Sequence, residues 1–288
     1  MHYLFLIFAP VCAMIKAVVQ GRYTKKRVNT FSDVLLYNCA VFFATAGVFA
    51  IVFLRAFPPI EVLFYALLGS VFIIGFQISY TMAFKSGPIT ASVIINSFCI
   101  VIGMVAGLIF FNEQWSILAI IGLVFMALCF YLVPARGENK KINIKWLIAI
   151  SLSFLFSGAN STIALFFAKS EFAEWNSTYM VFSFAMACVW ALIILLFNVK
   201  AKKEPITINK GWGLPCVALV IGGALGGYNL LNVYSLQYFE SYIAMPVVNG
   251  AIIVLVMIVN SIIDREKPTL KTLFGVISAV IAIVLLNL

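Results

Sequence analysis

The sequence predicts an all-α integral membrane fold of ten transmembrane helices in a 5+5 inverted repeat, on three observations. Of 288 residues, 64% are hydrophobic and only 10% are charged, whereas a soluble domain is near half apolar and a quarter charged. Apolar stretches of the roughly 20 residues needed to cross a bilayer recur along the whole chain with short polar breaks, leaving no room for a soluble catalytic domain. The chain also resembles itself at an offset of 153 residues, where Asn96 falls on Asn249, Glu113 on Glu266, Ser116 on Thr269 and Gly122 on Gly275.

Apolar runs bounded by charge, Pro and Gly place the ten spans in order. The first covers residues 2–20; it lacks a basic leader and a small-x-small cleavage site, so it reads as a helix rather than a removable signal. Spans two to five cover 33–54, 61–85, 89–111 and 115–133, and spans six to ten cover 145–168, 177–198, 211–237, 242–263 and 269–287. Only Lys85-Ser86-Gly87-Pro88 separates spans three and four, and only Tyr238-Phe239-Glu240-Ser241 separates eight and nine, so each pair is an antiparallel hairpin. One residue of slippage sets Tyr80 on Tyr234 and Gly69 on Gly223, so the match keeps one order across three consecutive spans. The units are therefore residues 1–135 and 145–288, joined by residues 136–144. An odd number of spans per unit forces opposite orientations, the plan of many secondary transporters, with the binding site near the midplane where the halves meet.

The residues at these matched places carry a family resemblance. The turn Ala83-Phe84-Lys85-Ser86-Gly87-Pro88, the Phe111-Asn112-Glu113 end of span four, the Gly122-centred span five, the echo in Asp264-Arg265-Glu266 and Gly275, the Gly158-Ala159-Asn160-Ser161 run and Lys16 together resemble the EamA-type branch of the drug/metabolite transporter superfamily. Ala9-Pro10-Val11 stands where that branch carries a Gly-Ser-Asn-like run, and Pro246 is the nearest counterpart of its proline in spans four and nine. The resemblance implies a metabolite permease with both termini in the cytoplasm. Loop charge points the other way. Arg22, Lys25, Lys26, Arg27, Lys85, Arg136, Lys140, Lys141, Lys145, Lys200, Lys202, Lys203, Lys210, Arg265 and Lys267 share one side, while Arg55 and Lys169 hold the other. Basic loops favour the cytoplasm, which puts both termini outside.

The net charge of +9 belongs to these loops, where it sets topology and meets anionic lipid, so no nucleic-acid partner is expected. Cys12, Cys39, Cys99, Cys129, Cys188 and Cys216 lie in apolar runs as small buried hydrophobes, and neither metal nor cofactor is expected. Every Asp and Glu lies at a span end or in a loop, Glu113 and Glu266 as capping or interfacial residues. A proton-coupled cation exchanger needs a buried acid, so a neutral, zwitterionic or anionic solute is favoured.

Polar side chains within spans either glue helices together or line a wet cavity. The candidate solute-binding residues are Lys16, Gln77, Tyr80, Asn96, Asn160, Tyr228, Asn232 and Asn249. Ser97, Ser161, Thr162, Trp190, Asn229 and Tyr234 stand in the same spans. Lys16 has a second reading, in which it snorkels toward Arg22 and Lys25, and the amides have a second reading as interhelical glue. The run from Gly222 to Gly227 suits close helix packing. The resulting expectation is a multi-pass protein of the plasma or inner membrane, monomer or homodimer, that moves a small organic solute such as an amino acid or related metabolite by alternating access. Two other readings are a lipid carrier or flippase of the same fold and a membrane-embedded lipid-modifying enzyme. The sole histidine is His2 and no acid pair lies within a span, which counts against the enzyme.

Overall fold

The computed structural model describes residues 3–54, 56–87, 89–112, 116–132, 144–202, 204–208 and 213–263, together with residues 274, 275, 277, 278, 281, 282 and 285. All regular structure among them is helical: α1 (Tyr3–Arg27), α2 (Phe31–Phe53), α3 (Ile60–Ser86), α4 (Ile89–Ser97), α5 (Ile100–Phe111), α6 (Ile117–Leu132), α7 (Ile144–Ala168), a single 3₁₀ turn at Ala173–Trp175, α8 (Asn176–Lys202), α9 (Gly213–Tyr238) and α10 (Ser241–Ile263). Eight helical stretches of the described residues are long and apolar enough to cross a membrane, with α4 and α5 counted as one from Ala91 to Phe111. Ten were expected. Of the other two expected spans, the fifth is described as a helix over Ile117–Leu132, and the described residues of the tenth, 274, 275, 277, 278, 281, 282 and 285, are all helical. Glu113, Glu266 and residues 136–143 of the junction lie outside the described residues.

Helix ends depart from the apolar runs in a consistent direction. The first helix runs on to Arg27, past the expected end at Gln20, and carries Lys25, Lys26 and Arg27 in its last turn. Cations there complement the negative end of the helix dipole. The second begins at an N-cap, Thr30, whose hydroxyl accepts from the Asp33 N–H at 3.0 Å while Asp33 accepts from the Thr30 N–H at 3.1 Å. This capping box satisfies donors that a helix start leaves orphaned. The same Asp33 carboxylate also accepts from the N–H groups of Thr207 and Ile208, at 2.8 and 2.9 Å. Glu204 reaches back to accept from the N–H groups of Phe31 and Ser32, at 3.0 and 3.1 Å, and from Asn198 at 2.7 Å. Two acids thus tie the chain beyond α8 to the start of α2.

The packing pairs come in matched sets. Helix α1 lies on α9 and α7 on α3; α1 lies on α10, and α7 on α4 and α5; α2 meets α9, and α3 meets α8. Each such pair becomes its partner when the two halves of the chain are exchanged. Pairs that map onto themselves are α2 with α8, where the Cys39 and Cys188 sulfurs approach to 3.6 Å, and α10 with α4 and α5. Another junction joins residues one repeat length apart: the Ser278 hydroxyl donates to the Phe125 carbonyl at 2.7 Å across 153 residues.

Small residues set the spacing. A Cβ on Gly222 would lie 2.9 Å from the Thr45 backbone nitrogen, and one on Gly226 would lie 2.4 Å from Phe49. These glycines, four apart on one face of α9, let α2 approach closely enough for the Thr45 hydroxyl to donate to the Gly222 carbonyl at 3.1 Å. Two apolar clusters result, one around α1, α3, α7 and α10 and one around α2, α8 and α9. The outside of the bundle is apolar as well: Ile51 is 89% and Phe43 72% exposed, as expected where the surrounding solvent is hydrocarbon.

Two predictions follow from these junctions. A membrane-permeant oxidant should join Cys39 to Cys188 within one chain, lowering the number of maleimide-reactive thiols by two, and Cys39→Ser should abolish the effect; an unchanged thiol count would mean α2 and α8 do not meet there. The Asn198 amide, with the Phe31 and Ser32 N–H groups, holds the Glu204 carboxyl below its ordinary pKa. Its bonds therefore stabilise fully at neutral pH and are lost as the pH falls through that lowered value. The melting-temperature gap between wild type and Glu204→Gln should be open at pH 7 and close in acid.

Candidate functional site

One cavity of about 70 Å3 opens inside the bundle where α1, α3, α4, α7, α9 and α10 converge, with room for several waters at about 10–15 Å3 each. Lys16, Gln77, Tyr80, Asn96, Asn160, Tyr228, Asn232 and Asn249 all line it. They come from both halves of the chain, separated by up to 233 residues in sequence (Lys16 to Asn249), and only the tertiary fold brings them together.

Lys16 belongs to α1 beside the buried residues Ala13 and Ala17, whose small side chains let neighbouring helices close in around it. It is 6% exposed. Its ammonium lies 4.6 Å from the centre of the Phe76 ring and 5.4 Å from that of Tyr80, within cation–π range. The side chain therefore turns inward rather than snorkelling toward Arg22. No carboxylate and no hydrogen-bond acceptor among the described residues pairs with it. Gln77, one residue from Phe76 on α3, is fully buried, and neither its amide oxygen nor its amide nitrogen has a partner. Buried polar atoms are nearly always bonded to protein or water, and these two lie unpaired in a residue of the cavity wall.

The rest of the polar lining is neutral and better paired. Ser153 donates to the Asn96 amide oxygen at 2.8 Å, and Cys99 contacts the Ser157 hydroxyl at 3.1 Å. Asn96 is thus interhelical glue and cavity wall together. Asn229 and Asn249 each donate one turn back, to the Leu225 and Met245 carbonyls, at 2.8 and 2.9 Å. Trp190 and Tyr234 do not line the cavity: Trp190 is 38% exposed, and Tyr234 meets Ser177 and stacks on Phe5. Thr162 donates to the Gly158 carbonyl of its own helix. Phe76, Ser157, Cys99 and Phe184 also line the cavity and were not singled out from the sequence. For Ser157 a signal existed: Ser153, Ser157 and Ser161 recur every four residues and share one face of α7.

The helix walls are interrupted here. Between α4 and α5 the backbone tightens to i→i−3 bonds, with Phe98, Cys99, Val101 and Ile102 donating to Ile95, Asn96, Phe98 and Cys99 at 3.0–3.2 Å. This 3₁₀ stretch adjoins Asn96. In the other half, Pro246 inside α10 has no N–H to offer the Tyr242 carbonyl, three residues before Asn249.

A multi-pass membrane bundle with a polar cavity walled by interrupted helices is the architecture of a solute transporter. The model of the EamA-like transporter family matches residues 144–288, half of the chain, and the chain belongs to that family, a membrane-transporter family of the drug/metabolite superfamily. A crystal structure with 12% sequence identity aligns over 97% of this chain and 98% of its own, with a TM-score of 0.65, which speaks for the fold alone. No curated protein sequence matches.

Two substitutions separate the two parts of the lining. Gln77→Leu removes an amide with no protein partner, so the melting temperature of the purified protein should hold or rise. Ser153→Ala leaves the Asn96 oxygen without its donor and should cost about 1–3 kcal/mol, read as a lower melting temperature.

Proposed function

We propose that the chain is a ten-helix secondary transporter or exchanger, built as two inverted five-helix units over residues 1–135 and 145–288. It carries a small organic solute, of the size of an amino acid or related metabolite, across the plasma or inner membrane by alternating access. The observation that supports this most directly is the cavity, a polar chamber within an apolar bundle, walled by residues from both halves. The matched packing of α1 on α9 and α7 on α3 supports the two-fold plan.

At each end of the bundle a lysine ties two elements of one half together, which lets that half move as a unit. At the end where α1 and α3 finish, the Lys85 ammonium donates to the Asn29 carbonyl. At the other end, where α7 and α9 finish, Lys169 pairs with Glu240 at 3.3 Å. Both join the tip of a hairpin, between spans three and four or eight and nine, to the end of a helix in its own half. The basic end faces the cytoplasm in this reading, by the excess of Lys and Arg.

Among the described residues no Asp or Glu lines the cavity to trade a proton for a cation, which supports transport by facilitated diffusion or exchange. A lipid tail in this chamber would leave amides without partners, at about 1–3 kcal/mol each, which favours a polar solute over a lipid.

Uptake into proteoliposomes after a thermal-shift screen of metabolites tests the reading. Counterflow of a stabilising solute should persist when an ionophore collapses the pH gradient. Asn249→Ala should slow it more than it lowers the melting temperature. Transport that stops with the gradient would overturn the coupling, and transport that survives Asn96→Ala, Asn249→Ala and Lys16→Ala together would displace the site.

A further inference from the structure

We infer, resting on the transport reading of this cavity, that the solute is a monoanion whose carboxylate sits on Lys16 and the free amide of Gln77. Three observations converge on it. The ammonium is buried on the cavity wall over the rings of Phe76 and Tyr80, with no carboxylate partner among the described residues. The amide of Gln77 is buried in the same wall, and neither of its polar atoms has a protein partner. Among the described residues no acid shares the chamber to balance the lysine.

Charge balance then selects among solutes. An unpaired buried ammonium is expensive, and the cost falls when an anion arrives. One negative charge brings the chamber to neutrality. A dianion such as a phosphate monoester leaves a surplus charge with no second cation to meet it. A zwitterion brings an ammonium of its own, and the chamber has no carboxylate for it, while the aromatic faces nearest the anchor already hold Lys16. An organic cation is repelled outright. The walls are polarised in the same sense: α1 and α3 supply the cation and an unpaired amide, whereas α7, α9 and α10 supply neutral Asn, Ser and Tyr groups. A carboxylate at the first wall and a hydroxyl, carbonyl or amide toward the second matches both.

The arrangement also explains why the anchor is Lys rather than Arg. A compact ammonium fits between two rings and gives up its contact readily when an anion leaves, whereas a guanidinium holds a carboxylate in a bidentate grip. A carrier must release as well as bind.

The test uses the full-length protein in detergent and in proteoliposomes, with matched triplets of probes on single carbon skeletons of three to eight carbons. For example, 2-hydroxybutyrate, 2-hydroxybutyramide and 2-aminobutyrate present an anion, a neutral amide and a zwitterion of one size. The acid member of at least one triplet should raise the melting temperature and bind about tenfold or more tightly than its amide, one carboxylate–ammonium contact being of that order. Lys16→Gln should erase that preference while the unliganded melting temperature holds or rises, since a buried charge has been removed. Lys16→Arg should keep the preference of acid over amide. The inference is overturned if the best-bound member of every triplet is the amide or the zwitterion, if Lys16→Gln keeps the acid preference, or if no acid in the panel binds. The parallel uptake assay separates this from the transport reading: acids that bind through Lys16 but never cross would sink transport and leave the anchor. Amides carried equally by wild type and Lys16→Gln would do the reverse.

Discussion

Inside hydrocarbon a polar group without a partner is costly, and the bundle is organised around that constraint. Its surface toward lipid is Ile, Phe, Leu and Val, while the amides and hydroxyls are turned inward and mostly bonded, Ser153 to Asn96, Asn176 to the Leu230 carbonyl and Gln20 to Thr81. A few buried polar atoms keep no protein partner, the Tyr37 hydroxyl and the Asn176 amide oxygen among them away from the cavity, and Lys16 and Gln77 on its wall. A charge and an amide left over at a cavity inside a membrane protein are where a solute has something to offer.

The constraint acts on the backbone as well. Helices satisfy their own N–H and C=O groups everywhere except at ends and breaks. At the ends, the protein brings acids to the orphan donors: Asp33 and Glu204 serve the start of α2 and the chain after α8 together. The break between α4 and α5 stands beside the cavity, at Asn96–Cys99, and in α10 the helix continues through Pro246 with one N–H missing. Irregular backbone is tolerated at that depth where protein or a water-filled space covers it, so cavity and break belong together.

Close approach makes the rest possible. Gly222 and Gly226 admit α2, and Ala9, Ala13 and Ala17 form a small-residue ridge on α1 that brings α9 and α10 near. Larger residues at those places would hold the helices apart, and the two halves would enclose an open channel rather than a chamber of a few waters.

Much of this was legible in the residue order, because the bilayer imposes a length and an apolar character that single-chain reading detects directly. The apolar runs located every described helix, and the offset of 153 residues pointed to Asn96 and Asn249 as a pair. All eight side chains named from the sequence line one cavity, since polar residues at mid-span have few other places to go. Helix ends were less legible: α1 outruns its apolar run by two turns because charged residues continue a helix once they reach the interface. What only the tertiary structure decided was direction. A sequence states that Lys16 lies near the end of an apolar run, and snorkelling or inward rotation both fit that position. The packing of α1 on α3 chose the second, by placing Phe76 and Tyr80 beneath the ammonium. Trp190 and Tyr234 went the other way for the same reason. Helical periodicity puts residues on a face, but which face meets the cavity depends on neighbours far away in the chain.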